Sequence, residues 1–154
     1  MFIRTLAVSA LVAAGLGIAS PAFAGECPAD KIKADAVKPV GHGPKGVSDN
    51  ILSMIDLGAE KIAAKGHLMR LRRLEIQPGG IVPWHGHAER PALIYVVSGE
   101  IVEHASNCTV PIVHKAGEVA RETHAVAHWW QNNGGRPVTL LSFDIVADPK
   151  DRNM

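Results

Sequence analysis

An all-β sandwich or barrel is the fold class that the sequence predicts, on three observations. The apolar runs are short: ILSMIDL (51–57), HLMRLRRLEI (67–76), IVPWHGH (81–87), ALIYVVS (92–98), EIVEHA (100–105), VPIVH (110–114), GEVA (117–120), AVAHWW (125–130) and VTLLSFDIV (138–146). The breaks between them include QPGG, SG, KAG and NNGG, which are turn chemistry. Sustained 3.6-residue periodicity is almost absent, so strands at this spacing indicate a layered or closed sheet.

Residues 1–24 precede these strands and read as a secretory signal peptide. Arg4 supplies the positive start, TLAVSALVAAGLGIAS the apolar core, and Ala22-Phe23-Ala24 an A-x-A cleavage site that leaves Gly25 as the mature N-terminus. The apolar run is rich in Ala and Gly and shorter than the roughly 20 strongly apolar residues of a spanning helix. No membrane association is expected once the signal is removed, and the chain is expected to be periplasmic or secreted. Residues 25–50 are polar and broken, with two Pro and three Gly in VKPVGHGPKG, and predict an irregular N-terminal arm. At most a short helix is expected around Asp30–Ala36, and His42 is expected to be solvated. Residues 51–146 form one domain, and ADPKDRNM (147–154) reads as a polar, frayed tail.

The charge balance excludes one class of partner. The chain has 16 Lys+Arg and 15 Asp+Glu, and Arg4 is the only charge in 1–24, so the processed protein carries 15 of each sign. A formally neutral chain offers no electrostatic footprint for nucleic acid. Both cysteines, Cys27 and Cys108, lie after the signal. In an oxidising compartment they are expected to pair, pinning the arm to the turn SNC; two unpaired thiols are the alternative.

The chemistry begins at GGIVPWHGH (79–87). In a strand, residues i and i+2 share a face, so His85 and His87 project together, which suits a metal. A pair of exposed loop histidines after Pro83 would also fit that spacing alone. Two longer patterns extend it. Gly79 is followed by five residues, then His85-Gly86-His87, with Gly99 in register as a closing glycine. Gly117 and five residues lead to Thr123-His124-Ala125; two more reach His128, and three more reach Asn132. Together these resemble the two motifs of the cupin superfamily, over about Arg70 to Val146. Thr123 and Ala125 stand where that family has Pro and Gly, and Ala92 stands where it has a ligand glutamate.

The resemblance implies a cupin jelly-roll barrel, a double-sheet β-sandwich with the two motifs as hairpins lining one cavity. On that pattern His85 and His87 on one strand and His128 on a distant one would bind one divalent transition metal: Fe, Mn, Zn, Ni or Cu. With Ala92 in place of the glutamate, water completes the shell by default. Glu89 and His124 are the candidate fourth ligands, although Arg90-Pro91 breaks the strand after Glu89. The alternative is a cupin that has lost its metal and keeps histidines as pocket lining.

Parity gives the rest of the pocket. Ala92 and Ile94 share a face, as do His128 and Trp130, so these line the cavity, while Trp129 points the other way. Leu93, Tyr95 and Val97 face outward and could bury against a second copy, as in a homodimer. Arg70 and Arg72 share one face of HLMRLRRLEI and Arg73 takes the other. They are expected on a solvated face, paired with Glu75 or Glu100; if one faces the pocket it is Arg72, which would argue for an acidic ligand. His67, His104 and His114 are expected at the surface or at strand ends.

The resemblance therefore implies a small, exported, quercetin-dioxygenase-like cupin. As an enzyme it would oxidise a small organic acid or phenolic substrate with oxygen. Two other classes fit the same residues: a non-catalytic module that binds or senses a small molecule, with or without metal, and a structural scaffold with a filled barrel.

Overall fold

The computed structural model describes residues 25–151, so the signal segment and the last residues of the tail lie outside the described residues. Eight strands follow one another: β1 Lys45–Asp56, β2 Leu68–Gly86, β3 Ala92–Ser98, β4 Glu100–Ala105, β5 Ile112–Lys115, β6 Val119–Glu122, β7 Ala127–Gln131 and β8 Val138–Val146. They are hydrogen-bonded in the order β5-β4-β7-β2-β8-β3-β6, with β1 also on β2, and every pairing is antiparallel.

The long strand β2 makes this path into two facing layers. Its first half, Leu68–Ile76, pairs with β8 and β1, whereas Ile81–Gly86 pairs with β7. The runs 67–76 and 81–87, expected as separate strands, are therefore one strand that turns at QPGG. Gly79 takes φ +70°, and a Cβ on Gly80 would sit 2.7 Å from both the Gln77 carbonyl oxygen and Ile76 Cγ2. Only glycines let the chain bend this sharply and pass this closely. Asn132 pins the corner: its Nδ2 donates to the carbonyls of Ile76 (2.9 Å) and Arg136 (2.8 Å), and its main chain bonds Gly79 and Gly80.

Burial alternates along the strands with period two, as half-buried sheets require. Leu74, Ile76, Val82, Ile94, Val96, Ile101, Trp130, Val138 and Leu140 from both layers form one core. Leu93, Tyr95 and Val97 face outward and are exposed, as their parity indicates.

Three expectations about the periphery change. Strand β1 starts at Lys45 rather than at Ile51, because residues 45–50 pair with β2 despite their polar texture. The short helix around Asp30–Ala36 is a 3-10 turn at Ala29–Lys31. The tail is held as far as Asp151, whose carbonyl accepts from Arg70 Nη1 at 2.7 Å. Cys27 and Cys108 are joined in a disulfide, Cα–Cα 5.7 Å, and an Ile32–Cys108 bridge continues the attachment of the arm.

The arginines depart most from expectation. Arg70 and Arg72 are buried (0 % and 3 % exposed), and only Arg73 pairs outward with Glu75, at 2.7 Å. Inward parity with Leu74 and Ile76 carries them inside, and buried anions compensate them. Asp144 on β8, in register with Arg70, accepts from it at 2.8 and 3.0 Å and lies 3.2 Å from Arg72 and 3.1 Å from Arg90. Asp49 on β1 meets Arg72 at 2.8 Å. Burial acts to raise Asp144, but its bond to Arg70 and the charges of Arg72, Arg70 and Arg90 hold it below the usual carboxylate range.

Removing that anion leaves buried cations short of compensation. Asp144→Ala is expected to cost about 3–5 kcal/mol in urea unfolding at neutral pH. The carboxylate's native pKa is depressed, so its contribution is present above the unfolded value of about 3.9 and is lost as pH falls through the native one. The gap between variant and wild type should therefore close only in acid; a constant gap down to pH 2 would refute the electrostatic account.

Candidate metal centre

His85 lies on the second half of β2, in register with His128 on β7, and His87 follows just past the strand end. Strand pairing thus brings together imidazoles more than forty residues apart. Their Nε2 atoms converge: His128 to His87 is 3.1 Å and His128 to His85 is 3.2 Å. A fourth group joins them from β6, with Glu122 Oε2 2.9 Å from His87 Nε2 and Oε1 3.2 Å from His128 Nε2. One ligand atom from each of His85, His87, Glu122 and His128 lies within 4.8 Å of the others.

Each imidazole is held from behind. His85 Nδ1 lies 2.9 Å from the Pro83 carbonyl, His87 Nδ1 2.8 Å from the Arg90 carbonyl, and His128 Nδ1 2.5 Å from Glu103 Oε1. Each acceptor takes an Nδ1–H, which leaves the Nε2 lone pair aimed inward, the tautomer that metal ligation requires. Ring nitrogens 3.1–3.2 Å apart repel unless a cation or a proton sits among them. Such separations suit neighbouring ligands with bonds of about 2.0–2.2 Å to one ion. The donor set of three imidazoles and one carboxylate fits a divalent transition metal.

The protonation tendencies agree. Burial, reinforced by His128, pushes His85 down to about 2, so its lone pair stays free. Burial acts to raise Glu103, but its bonds to His114 and His128 hold it at about 2 as a carboxylate. For His128, burial acts downward, yet the charge of Glu122 and the bond to Glu103 leave its pKa raised. Without metal, the proton on His128 stands where the cation's charge would be.

Glu89 and His124, the candidate fourth ligands, are both exposed and outside the group. The break at Arg90-Pro91 turns Glu89 away, and His124 sits in the turn before β7. Glu122 lies beyond the apolar run GEVA, which ends at Ala120; strand β6 continues to Glu122, with Ala120 and Glu122 on its inner face. The missed signal was the alternation through VARE, opposite a strand carrying Ala92: Ala92 and Glu122 are partners in register. Glu103 carries no expectation from the sequence; His114, expected at the surface or at a strand end, is the penultimate residue of β5 and is buried in a 2.8 Å ion pair with Glu103. His104, near the end of β4, is half-buried and stacks on Trp129 with ring centroids 4.0 Å apart, and His67 is exposed.

Beside the group is a cavity of about 30 Å³, walled by Arg72, Ile94, Trp130, Leu74, Val82 and Ser142 together with His85, His87 and Glu122. Ala92, expected in that lining, belongs instead to the packed core between Glu122 and Asp144. Arg72 reaches the cavity with its charge already met, and its Nε is buried without a hydrogen-bond partner among the described residues.

Fold and site together define a two-layer β-barrel with a preformed cluster suited to a metal. Residues 72–144 match the cupin domain family, and the chain belongs to the cupin superfamily. It is 32% identical over 88 residues to a germin-like protein of Arabidopsis thaliana, covering 54% of this chain and 40% of that one. It is 27% identical over 115 residues to an auxin-binding protein of Prunus persica, covering 71% and 54%. The chain thus spans about half the length of the curated relatives it matches. Among solved structures it is similar in fold to a predicted oxalate decarboxylase of Thermotoga maritima, with TM-score 0.53, 23% identity, and 75% and 97% of the two chains covered.

If the group takes a metal, uptake must displace the His128 proton, so affinity rises with pH through neutrality with at least one proton released per ion. His85 contributes none, being neutral throughout. Zinc titrations at several pH values in weakly binding buffers check this; a pH-independent affinity would contradict it. Glu122→Gln should weaken binding by roughly 10–100-fold, while Glu89→Gln and His124→Ala leave it unchanged.

Proposed function

We propose that this chain is an exported metal-dependent cupin. One divalent transition ion is held by His85, His87, His128 and Glu122, and the reaction is oxygen-dependent oxidation of a small organic acid. The observation that carries the reading is the convergence of three Nε2 atoms and one carboxylate, each imidazole braced from behind. A metal bound there would supply Lewis-acid and redox chemistry. The residues around it bind and orient the substrate: Arg72 sets a guanidinium beside the metal group, while Trp130, Ile94 and Leu140 exclude water.

Cavity size favours the acid over the phenol. About 30 Å³ is room for roughly two waters, by a measure in which one needs about 10–15 Å³. A small carboxylate fits this scale, and an aromatic ring requires the walls to move. The unpartnered Arg72 Nε–H suits a carboxylate oxygen. The name of the Thermotoga maritima relative points to the same substrate class. Export is supported by the Cys27–Cys108 disulfide and the signal-like residues 1–24. Among the described residues, no helix is long and apolar enough to cross a membrane.

Protein purified from its native compartment should carry about one equivalent of a transition metal by elemental analysis, and His128→Ala should lose it. The loaded protein should consume oxygen with oxalate or glycolate, and Arg72→Lys should raise KM. Stoichiometric metal without oxygen uptake across such acids would favour the non-catalytic binding module. Folded, metal-free protein that takes up no ion would sink the reading.

The outward face carrying Met69, Leu93, Phe143 and Ile145 is exposed and encloses a groove of about 350 Å³. A contiguous apolar patch of this kind on a soluble chain marks an association surface, and we assign it to a second copy. Light scattering should give a dimer that Leu93→Glu converts to a monomer; a monomeric wild type refutes this.

A further inference from the structure

Outside the metal group, His114 on β5 carries an unsatisfied demand. Its ring is 0 % exposed and stacks on Trp130, with centroids 4.5 Å apart. Nε2 lies 2.8 Å from Glu103 Oε2, but Nδ1 is buried and has no hydrogen-bond partner among the described residues. The other oxygen of Glu103 meets His128 Nδ1 at 2.5 Å. The orphan nitrogen is thus the far end of a hydrogen-bonded line across β5, β4 and β7 into the metal group. Register makes the line: Glu103 opposes Ile112 and Trp130, so His114 and His128 are its diagonal neighbours on the same inner face. A neutral His114 donating Nε2–H to Glu103 presents at Nδ1 a lone pair that lacks a donor.

Gly25 stands against that nitrogen. Its φ is +86°, and a Cβ built on it would lie 2.4 Å from His114 Nδ1 and 3.0 Å from Cε1. Any other residue would collide with the ring. The segment is fastened there by the Glu26–Arg121 ion pair and the Cys27–Cys108 disulfide. A cavity of about 390 Å³ is bounded by Gly25, Glu26, Cys27, Glu103 and Arg121. In the sequence, Gly25 follows the A-F-A site directly. A peptide N–H at this position has its direction fixed by the plane of the Ala24–Gly25 bond. A terminal amine rotates freely about N–Cα and presents more than one hydrogen.

We propose that hydrolysis of the Ala24–Gly25 bond frees an α-amino group that seats on His114 Nδ1. This completes the line Gly25–His114–Glu103–His128. The amine and His114 are positioning groups: they fix Glu103, and Glu103 fixes the His128 ring. Processing of the chain therefore finishes the support of the metal centre. The seating does not require a metal, whereas its effect on affinity rests on the metal reading above.

The test compares three folded forms: one beginning at Gly25, one retaining Ala24, and one acetylated at Gly25. In metal-free protein with nitrogen-15 histidine, the His114 Nδ1 signal should shift to a hydrogen-bonded acceptor position only in the first form. The signal is assigned by its loss in His114→Phe, which retains the aromatic stacking on Trp130. With zinc alone as probe, the two blocked forms should bind roughly 10-fold more weakly, and in His114→Phe the N-terminus should make no difference. The same Nδ1 signal in all three forms overturns the seating, and equal zinc affinity overturns its reach to His128. Zinc binding by none of the forms counts against the metal reading, and the ring signals still decide the seating.

Discussion

The whole arrangement depends on the continuity of β2 through its corner at Gln77–Gly80. One strand carries the buried arginines in its first half and the histidine pair in its second. Because it pairs with β8 before the bend and β7 after it, the register of one layer sets the register of the other. A slip of one residue would turn Arg70, Arg72 and His85 outward together, since side chains alternate strictly. The glycines that allow the bend and the Asn132 bonds that hold it therefore matter to both clusters. This accounts for Asn132 being fully buried although it takes no part in the metal group.

Burying so much charge in a small barrel is tolerable only because it is sorted. Arg70, Arg72 and Arg90 surround Asp144, with Asp49 and Asp151 on the flanks. Beside them, the histidines meet Glu122 and Glu103. Leu74, Ile94 and Leu140 lie among the residues around the cavity between them. Each charged cluster is nearly self-neutralising, which limits the desolvation cost that isolated ions would carry. The Arg cluster needs no further anion for its charge, so the case for an acidic ligand rests on the direction of Arg72 and its unpartnered Nε rather than on excess charge.

The legible parts of the sequence were those governed by parity within one strand. HxH, His128 with Trp130, and Leu93-Tyr95-Val97 all follow from period two, and the structure places each on the face expected. What could not be read were partnerships between strands far apart in sequence. Arg70 sits opposite Asp144 and Glu103 joins His114 to His128; neither partnership has a local signature. Strand ends are equally hard to read. The apolar run GEVA ends at Ala120 although β6 continues to Glu122, and the polar residues 45–50 pair with β2 ahead of the apolar run that begins at Ile51.

The two failures meet at Ala92. Read along the chain, an alanine at the motif's carboxylate position looks like the loss of a ligand. Read across the sheet, Ala92 has Glu122 on one side and Asp144 on the other, both in register and both buried. A glutamate at 92 would set three buried carboxylates abreast, and like charges that close push one another toward protonation. A small, neutral residue is what that neighbourhood permits once β6 supplies the carboxylate. Ala92 and Glu122 are thus one structural decision written on two strands, and the departure from the motif moves a donor without removing it.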